Sequence, residues 1–139
     1  MLGTVRPMST TSLTATASMA SWAESPDHGP DAPLPRLAHA EVSFSYTGDL
    51  VAKSECNYSL SYARDGTGEA TGFETITGQR DGEEGSFTLR HECRFHAEGV
   101  ATDIAVVPGS GTGPFTDLDG SGHFDIGHAA QSWEWTLTS

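Results

Sequence analysis

From Leu37 onward the chain alternates apolar and polar residues with a period of two, which restricts it to sheet. Ala38, Ala40, Val42, Phe44 and Tyr46 fall on one face, opposed by His39, Glu41, Ser43 and Ser45. Leu50, Ala52, Cys56, Tyr58, Leu60 and Tyr62 share the next face, opposed by Lys53, Glu55 and Asn57. Successive side chains of a strand point to opposite sides, so each run offers one face to a core and one to water. Leu13 to Ala23 reads as an earlier strand, and residues 24–36, with four of the seven prolines, as a long loop that is either a plain connection or a lid. Ala70 to Thr77, Ser86 to His96, Val100 to Val107, Gly122 to Ile126 and Gln131 to Thr138 continue the series. Turns rich in Gly, Asp and Pro separate them, and no amphipathic helix of ten residues or more interrupts.

About eight short antiparallel strands favour closure into a barrel, because closure removes exposed edges. The expected fold is all-β: a single small antiparallel barrel over residues 13–139, with 1–12 a disordered Ser/Thr-rich extension and Met8 an alternative start. A two-sheet sandwich is the alternative. A chain of 139 residues suits one domain with one core. At this strand number the interior holds either packed side chains or one small ligand.

The formal charge of −12 and seven unclustered Lys and Arg argue against nucleic acid or an anionic membrane as partner. No apolar run approaches the ~20 residues of a membrane-spanning helix. Met1 to Ser12 lacks the apolar stretch of a secretory signal, which predicts a cytoplasmic protein. In a reducing compartment Cys56 and Cys93 read as free buried thiols.

The segment from Gly72 to His91 carries the chemistry. It reads as a hairpin, with Gly78, Gly82 and Gly85 marking the turn. Glu74 is in register with Gly72 and Ile76; His91 is in register with Phe87, Leu89, Cys93 and Phe95. Both face inward if the alternation holds. A carboxylate that fixes one imidazole nitrogen leaves the other to meet a substrate, which makes a general acid/base unit. The same pair also reads as a buried polar contact that sets strand register and does no chemistry. Phe44, Tyr46, Tyr58, Phe87, Cys93, Trp133 and Trp135 are the candidates to line an apolar pocket, with Tyr46 and Tyr58 foremost because a buried phenol seeks a hydrogen-bond partner.

This hairpin also carries a resemblance. Its Gly-x-Glu through Gly-Ser-Phe-x-Leu-x-His pattern, Phe44–Leu50 and Val106–Gly113 resemble, in order, blocks of the small bacterial family DUF3224. That resemblance spans roughly Ala17 to Thr138 and implies a barrel like that of allene oxide cyclase. By analogy of fold it implies a cofactor-independent cyclase or isomerase acting on a hydrophobic, polyketide- or lipid-like substrate. The chain departs from the family pattern at Asn57, where a glutamate usually precedes the strand tyrosine, and at Phe115-Thr116-Asp117, which replaces a Leu-Ala-Gly-like turn.

Other motifs point to nothing further. Gly109-Ser110-Gly111-Thr112-Gly113 lacks the Lys and helix of a phosphate loop and reads as a strand-to-strand corner. Asp117 to Gly122 begins like a calcium loop, but His128 stands where a bidentate Glu is required. His123, Asp125 and His128 lie near one another without zinc or cupin spacing, so no metal is expected. No nucleophile elbow occurs. The expected function is therefore a cofactor-free cyclase or isomerase in an aromatic-lined cavity, with Glu74 and His91 as catalytic residues. The alternatives are a carrier of a hydrophobic small molecule and a fully packed barrel. Barrels of this kind often self-associate, although no stripe marks a homo-oligomer interface.

Overall fold

In the computed structural model, which describes residues 12–26 and 33–139, eight antiparallel strands close into a barrel in sequence order. They are β1 (Ser12–Ser25), β2 (Arg36–Gly48), β3 (Val51–Tyr62), β4 (Gly68–Arg80), β5 (Glu83–His96), β6 (Gly99–Val106), β7 (Ser121–Gly127) and β8 (Ser132–Thr138). The β1–β8 ladder, from Ser12↔Thr138 to Ser18↔Ser132, closes the ring, so the sandwich alternative falls. The expected extension (1–11) and most of the central part of the proline-rich loop (27–32) lie outside the described residues. Ser12 itself already belongs to β1.

The alternation does what it implied. Ala40, Val42, Phe44 and Tyr46 are buried, as are Leu50, Ala52, Cys56, Tyr58 and Leu60. The strands of the central hairpin run longer than expected, and this corrects the role of two glycines. Only Asp81 (φ 52°) and Gly82 (φ 81°) form the turn, a two-residue reversal that needs positive φ at both positions. Gly78 and Gly85 are instead a cross-strand pair within the ladder. A Cβ on Gly78 would sit 2.2 Å from the Val51 carbonyl oxygen, and one on Gly85 2.3 Å from that of Thr112.

Alternating connections define two ends. One carries the turns at residues 49–50 and 81–82 and the long 107–120 connection; the other carries the β1–β2 loop and the turns at 63–67, 97–98 and 128–131. The first end is plugged. A short 3-10 turn, Gly113–Phe115, drives Phe115 into the barrel, where it is fully buried with its ring 4.8 Å from that of Phe87. The glycine-rich run has a structural task here. β6 pairs with β5 only from Leu89 to His96, which leaves the first half of β5 with an open edge. The Ser110 and Thr112 hydroxyls accept from the backbone N–H groups of Thr88 (3.0 Å) and Ser86 (2.9 Å) and cover it. Phe115 thus seals a floor. Phe115→Ala is expected to cost about 3–5 kcal/mol, since a large aromatic leaves a cavity that the barrel cannot collapse; urea unfolding measures it.

Candidate functional site

Inward strand positions put five polar side chains on a connected line. Glu74 on β4 is 0% exposed. One carboxylate oxygen, Oε1, lies 2.7 Å from His91 Nε2 on β5. The other, Oε2, accepts from Ser54 Oγ at 2.5 Å and from the Tyr46 hydroxyl. The far nitrogen of the imidazole, Nδ1, lies 2.9 Å from Tyr58 Oη. The sequence builds this line by placing small residues where long side chains must cross. Gly72 sits directly between Tyr58 and His91 in the ladder, and its missing side chain lets phenol meet imidazole over β4. Tyr46 reaches Glu74 across β3, whose facing inward residues are Ala52 and Ser54.

A buried carboxylate needs both hydrogen bonds and a countercharge. Ser54 and Tyr46 are neutral hydroxyls, which leaves His91 to supply the charge. Burial pulls the imidazole's pKa down, but the neighbouring Cys93 and Glu74 outweigh it and raise it to about 9. Of the two, Glu74 matters more, because its oxygen is in direct contact, whereas Cys93 Sγ is occupied by the Thr102 hydroxyl at 3.6 Å. Burial and the nearby Glu74 charge push Tyr46 well above the ordinary phenol range; burial and the nearby thiols do the same for Tyr58. Both phenols are therefore protonated donors at neutral pH.

Above this line is an apolar cavity of about 80 Å³. Tyr46, Tyr58, Phe44, Cys93, Trp133 and Trp135, six of the seven candidates for a pocket lining, line it together with His91. Phe44 stacks near-parallel to the imidazole (centroids 6.5 Å, 8°) and meets Trp133 edge-on at 5.8 Å. Two sequence candidates stand elsewhere. Phe87 lies at the floor against Phe115 and does not line this cavity. Glu74 lies behind the wall, reaching the cavity through His91 and Tyr46, so it positions and charges groups that face a ligand.

The cavity shares Trp22, Phe95 and Val100 with an adjoining, wider vestibule of about 510 Å³ at the loop end. Its rim is held by Glu24, which accepts from Arg36 Nη2 (3.0 Å), Trp22 Nε1 (3.2 Å) and Tyr62 Oη (3.0 Å). The Arg36 guanidinium lies 4.4 Å above the Tyr62 ring. Sequence reasoning missed Ser54, Thr102, Trp22 and Phe124. Ser54 and Thr102 sit in the inward frame of their strands, and strict counting would have found them. Trp22 gave no such signal, because the irregularity between Met19 and Ser21 shifts the frame and turns it inward.

Cys56 and Cys93 are free thiols, both buried. His123 lies on the outside, between Asp103 (2.7 Å) and Asp125 (3.2 Å). Among the described residues no three His, Cys, Asp or Glu side chains come together as a metal site. No helix among them is long and apolar enough to cross a membrane.

Barrel and site together define a class: an eight-stranded up-and-down β-barrel, plugged at one end, with a buried carboxylate–imidazole–phenol line beneath an apolar cavity at the other. The chain belongs to the family described as protein of unknown function (DUF3224), whose model matches residues 13–138. It is similar to the crystal structure of a DUF3224-family protein of unknown function from Shewanella oneidensis MR-1, with a TM-score of 0.70 at 20% identity. That likeness covers 93% of this chain and 95% of the other, and it shows a shared fold. No curated protein matches the sequence.

Proposed function

We propose that this barrel is a cofactor-independent cyclase or isomerase of a hydrophobic small molecule. One observation carries the reading: a buried acid–base line, Glu74–His91–Tyr58, ends on the wall of an apolar, aromatic-lined cavity. A merely structural ion pair has no need to terminate at empty apolar space. The aromatic walls would fold a flexible substrate into a reactive conformer, and holding reacting groups together lowers a barrier by as much as ~7–11 kcal/mol. The imidazole–phenol end would polarise an oxygen of the substrate while Glu74 holds the imidazole in place and in charge. The sequence blocks resemble DUF3224, and a likeness of that family's barrel to those of allene oxide cyclase and of spiro-forming cyclases supports the reaction class by analogy of fold alone.

A carrier of a hydrophobic ligand is the second reading. It is favoured by the committed state of Glu74, whose two oxygens both accept hydrogen bonds, leaving it no path to act directly as a base in the cavity. Comparing the metabolites of the producing organism with and without this gene separates the two. A cyclase or isomerase is expected to leave a substrate of unchanged mass and altered retention, which the added protein converts and His91→Asn does not. A metabolite profile that does not change on deletion, with no conversion by added protein, would remove the enzymatic reading.

A further inference from the structure

The hydrogen-bond line has a direction, and the direction says what kind of ligand the cavity is built for. Glu74 Oε1 takes the Nε2 proton of His91. With a carboxylate in an apolar interior and no other cationic group among its hydrogen-bond partners, one added proton keeps the pair neutral overall, and it rests on the imidazole, the more basic of the two. Both ring nitrogens then donate, so Nδ1–H points at Tyr58 Oη and the phenol accepts. The Tyr58 hydrogen is thereby released from the imidazole and has to go elsewhere. The remaining polar neighbours are the Cys56 and Cys93 thiols, both weak acceptors, and Cys93 already takes the Thr102 hydroxyl. Tyr46, the other phenol on the cavity wall, already gives its hydrogen to Glu74, and Thr102 gives its own to Cys93.

A buried hydroxyl hydrogen without a strong acceptor, facing empty space, calls for an acceptor from outside. An imidazolium donating to the phenol oxygen also makes that phenol a stronger donor, since successive hydrogen bonds polarise one another. Size adds the second constraint. The inner cavity of about 80 Å³ takes a narrow head and no more, whereas the vestibule of about 510 Å³ has room for a body. Charge adds the third. The chain carries −12; Asp65 lines the vestibule beside His96 and His128, and Arg36 at the rim gives Nη2 to Glu24 at 3.0 Å while its Nη1 has no partner among the described residues. A carboxylate would enter against this field.

We infer that the ligand is an uncharged molecule whose narrow, buried end carries a carbonyl-type oxygen accepting the Tyr58 hydroxyl, and whose apolar body lies between Trp22, Phe95 and Val100. This rests on the reading of the cavity as a small-molecule site and supplies its substrate class and orientation. Tyr58 is then the group that touches the substrate, and His91 acts through it.

Three probes of one shape test this: 2-decanone, the isosteric alkene 2-methyl-1-decene, and decanoate. Binding is followed by calorimetry, and the ketone's carbonyl stretch by infrared difference spectroscopy with a 13C label at the carbonyl. The ketone is expected to bind at least tenfold more tightly than the alkene and than decanoate, with its carbonyl stretch moved to lower frequency. Tyr58→Phe is expected to abolish both the preference over the alkene and the shift, leaving alkene affinity unchanged. If that variant does not fold, the wild-type preference and carbonyl shift decide the matter alone. Equal binding of ketone and alkene, or an unshifted carbonyl, would overturn the acceptor inference while leaving the cavity reading intact. Tightest binding by decanoate would overturn the uncharged class. Failure of all three to bind would overturn the cavity reading, and this inference with it.

Discussion

Replacing His91 by leucine is expected to destabilise the fold by about 3–5 kcal/mol, the largest loss of any single change in the polar line. The side chain is 3% exposed and provides the countercharge of a carboxylate that is 0% exposed. Leucine fills comparable space and packs against Phe44, so the cost is electrostatic. It leaves Glu74 Oε1 facing a methyl group and removes the partner of Tyr58 Oη. Glu74→Gln makes the instructive contrast. Its amide oxygen still accepts from Ser54 and Tyr46, its NH2 can donate to a neutral imidazole, and the loss is expected near 1 kcal/mol. Urea unfolding of the two variants beside wild type gives the order directly. A glutamine variant less stable than the leucine variant would mean that the buried charge is not what His91 serves.

The second large effect is a loss of stability on the alkaline side of neutrality. The ordinary histidine value is 6.5, and in the fold His91 is raised to about 9. Below about pH 6.5 the imidazole is protonated in both folded and unfolded chains, and the contribution of its raised pKa is fully present. Between about 6.5 and 9 the folded chain keeps a proton that the unfolded chain has released, so each step up in pH favours unfolding. Above about 9 the folded chain loses it too, and the contribution is gone. Across that window about 3 kcal/mol is expected to disappear, at about 1.36 kcal/mol for each pH unit of difference. Exposed His123 is also raised, by its hydrogen bonds to Asp103 and Asp125, so the series belongs in a His123→Ala background. Unfolding free energies at pH 6, 7.5 and 9 that stay level in that background would show that folding does not raise the pKa of His91.

The sequence carries the wall of this barrel more openly than its contents. A period of two survives in the strands that carry the site because each has one wet and one buried face, and it placed Tyr46, Tyr58, Glu74 and His91 inside without knowledge of any partner strand. It could not place them along the barrel axis. Phe87 and His91 share one face of β5, yet four residues of extended chain separate a floor residue from a cavity residue. Only the ladder registers reveal that Phe87 meets the plug while His91, beside Glu74 as expected, reaches the cavity. The connection of Glu74 to both phenols was equally hidden. It depends on Gly72, Ala52 and Ser54 being small at the points where other side chains pass over them, a requirement of three strands at once. Trp22 was illegible for a different reason: a local irregularity in β1 resets the alternation, and nothing in the composition of Met19-Ala20-Ser21 announces it.

The charge state of His91 is the point on which site, stability and ligand class all turn, and nitrogen NMR of 15N-histidine-labelled protein reads it directly. At pH 7, without ligand, both ring nitrogens of His91 are expected to carry protons, and their shifts are expected to hold steady from pH 6 to 8. A single protonated nitrogen at pH 7, with the other showing the shift of an unprotonated imidazole, would contradict the account. With that lone proton on Nε2, Tyr58 would give its hydrogen to Nδ1, and the cavity would hold no donor awaiting a ligand.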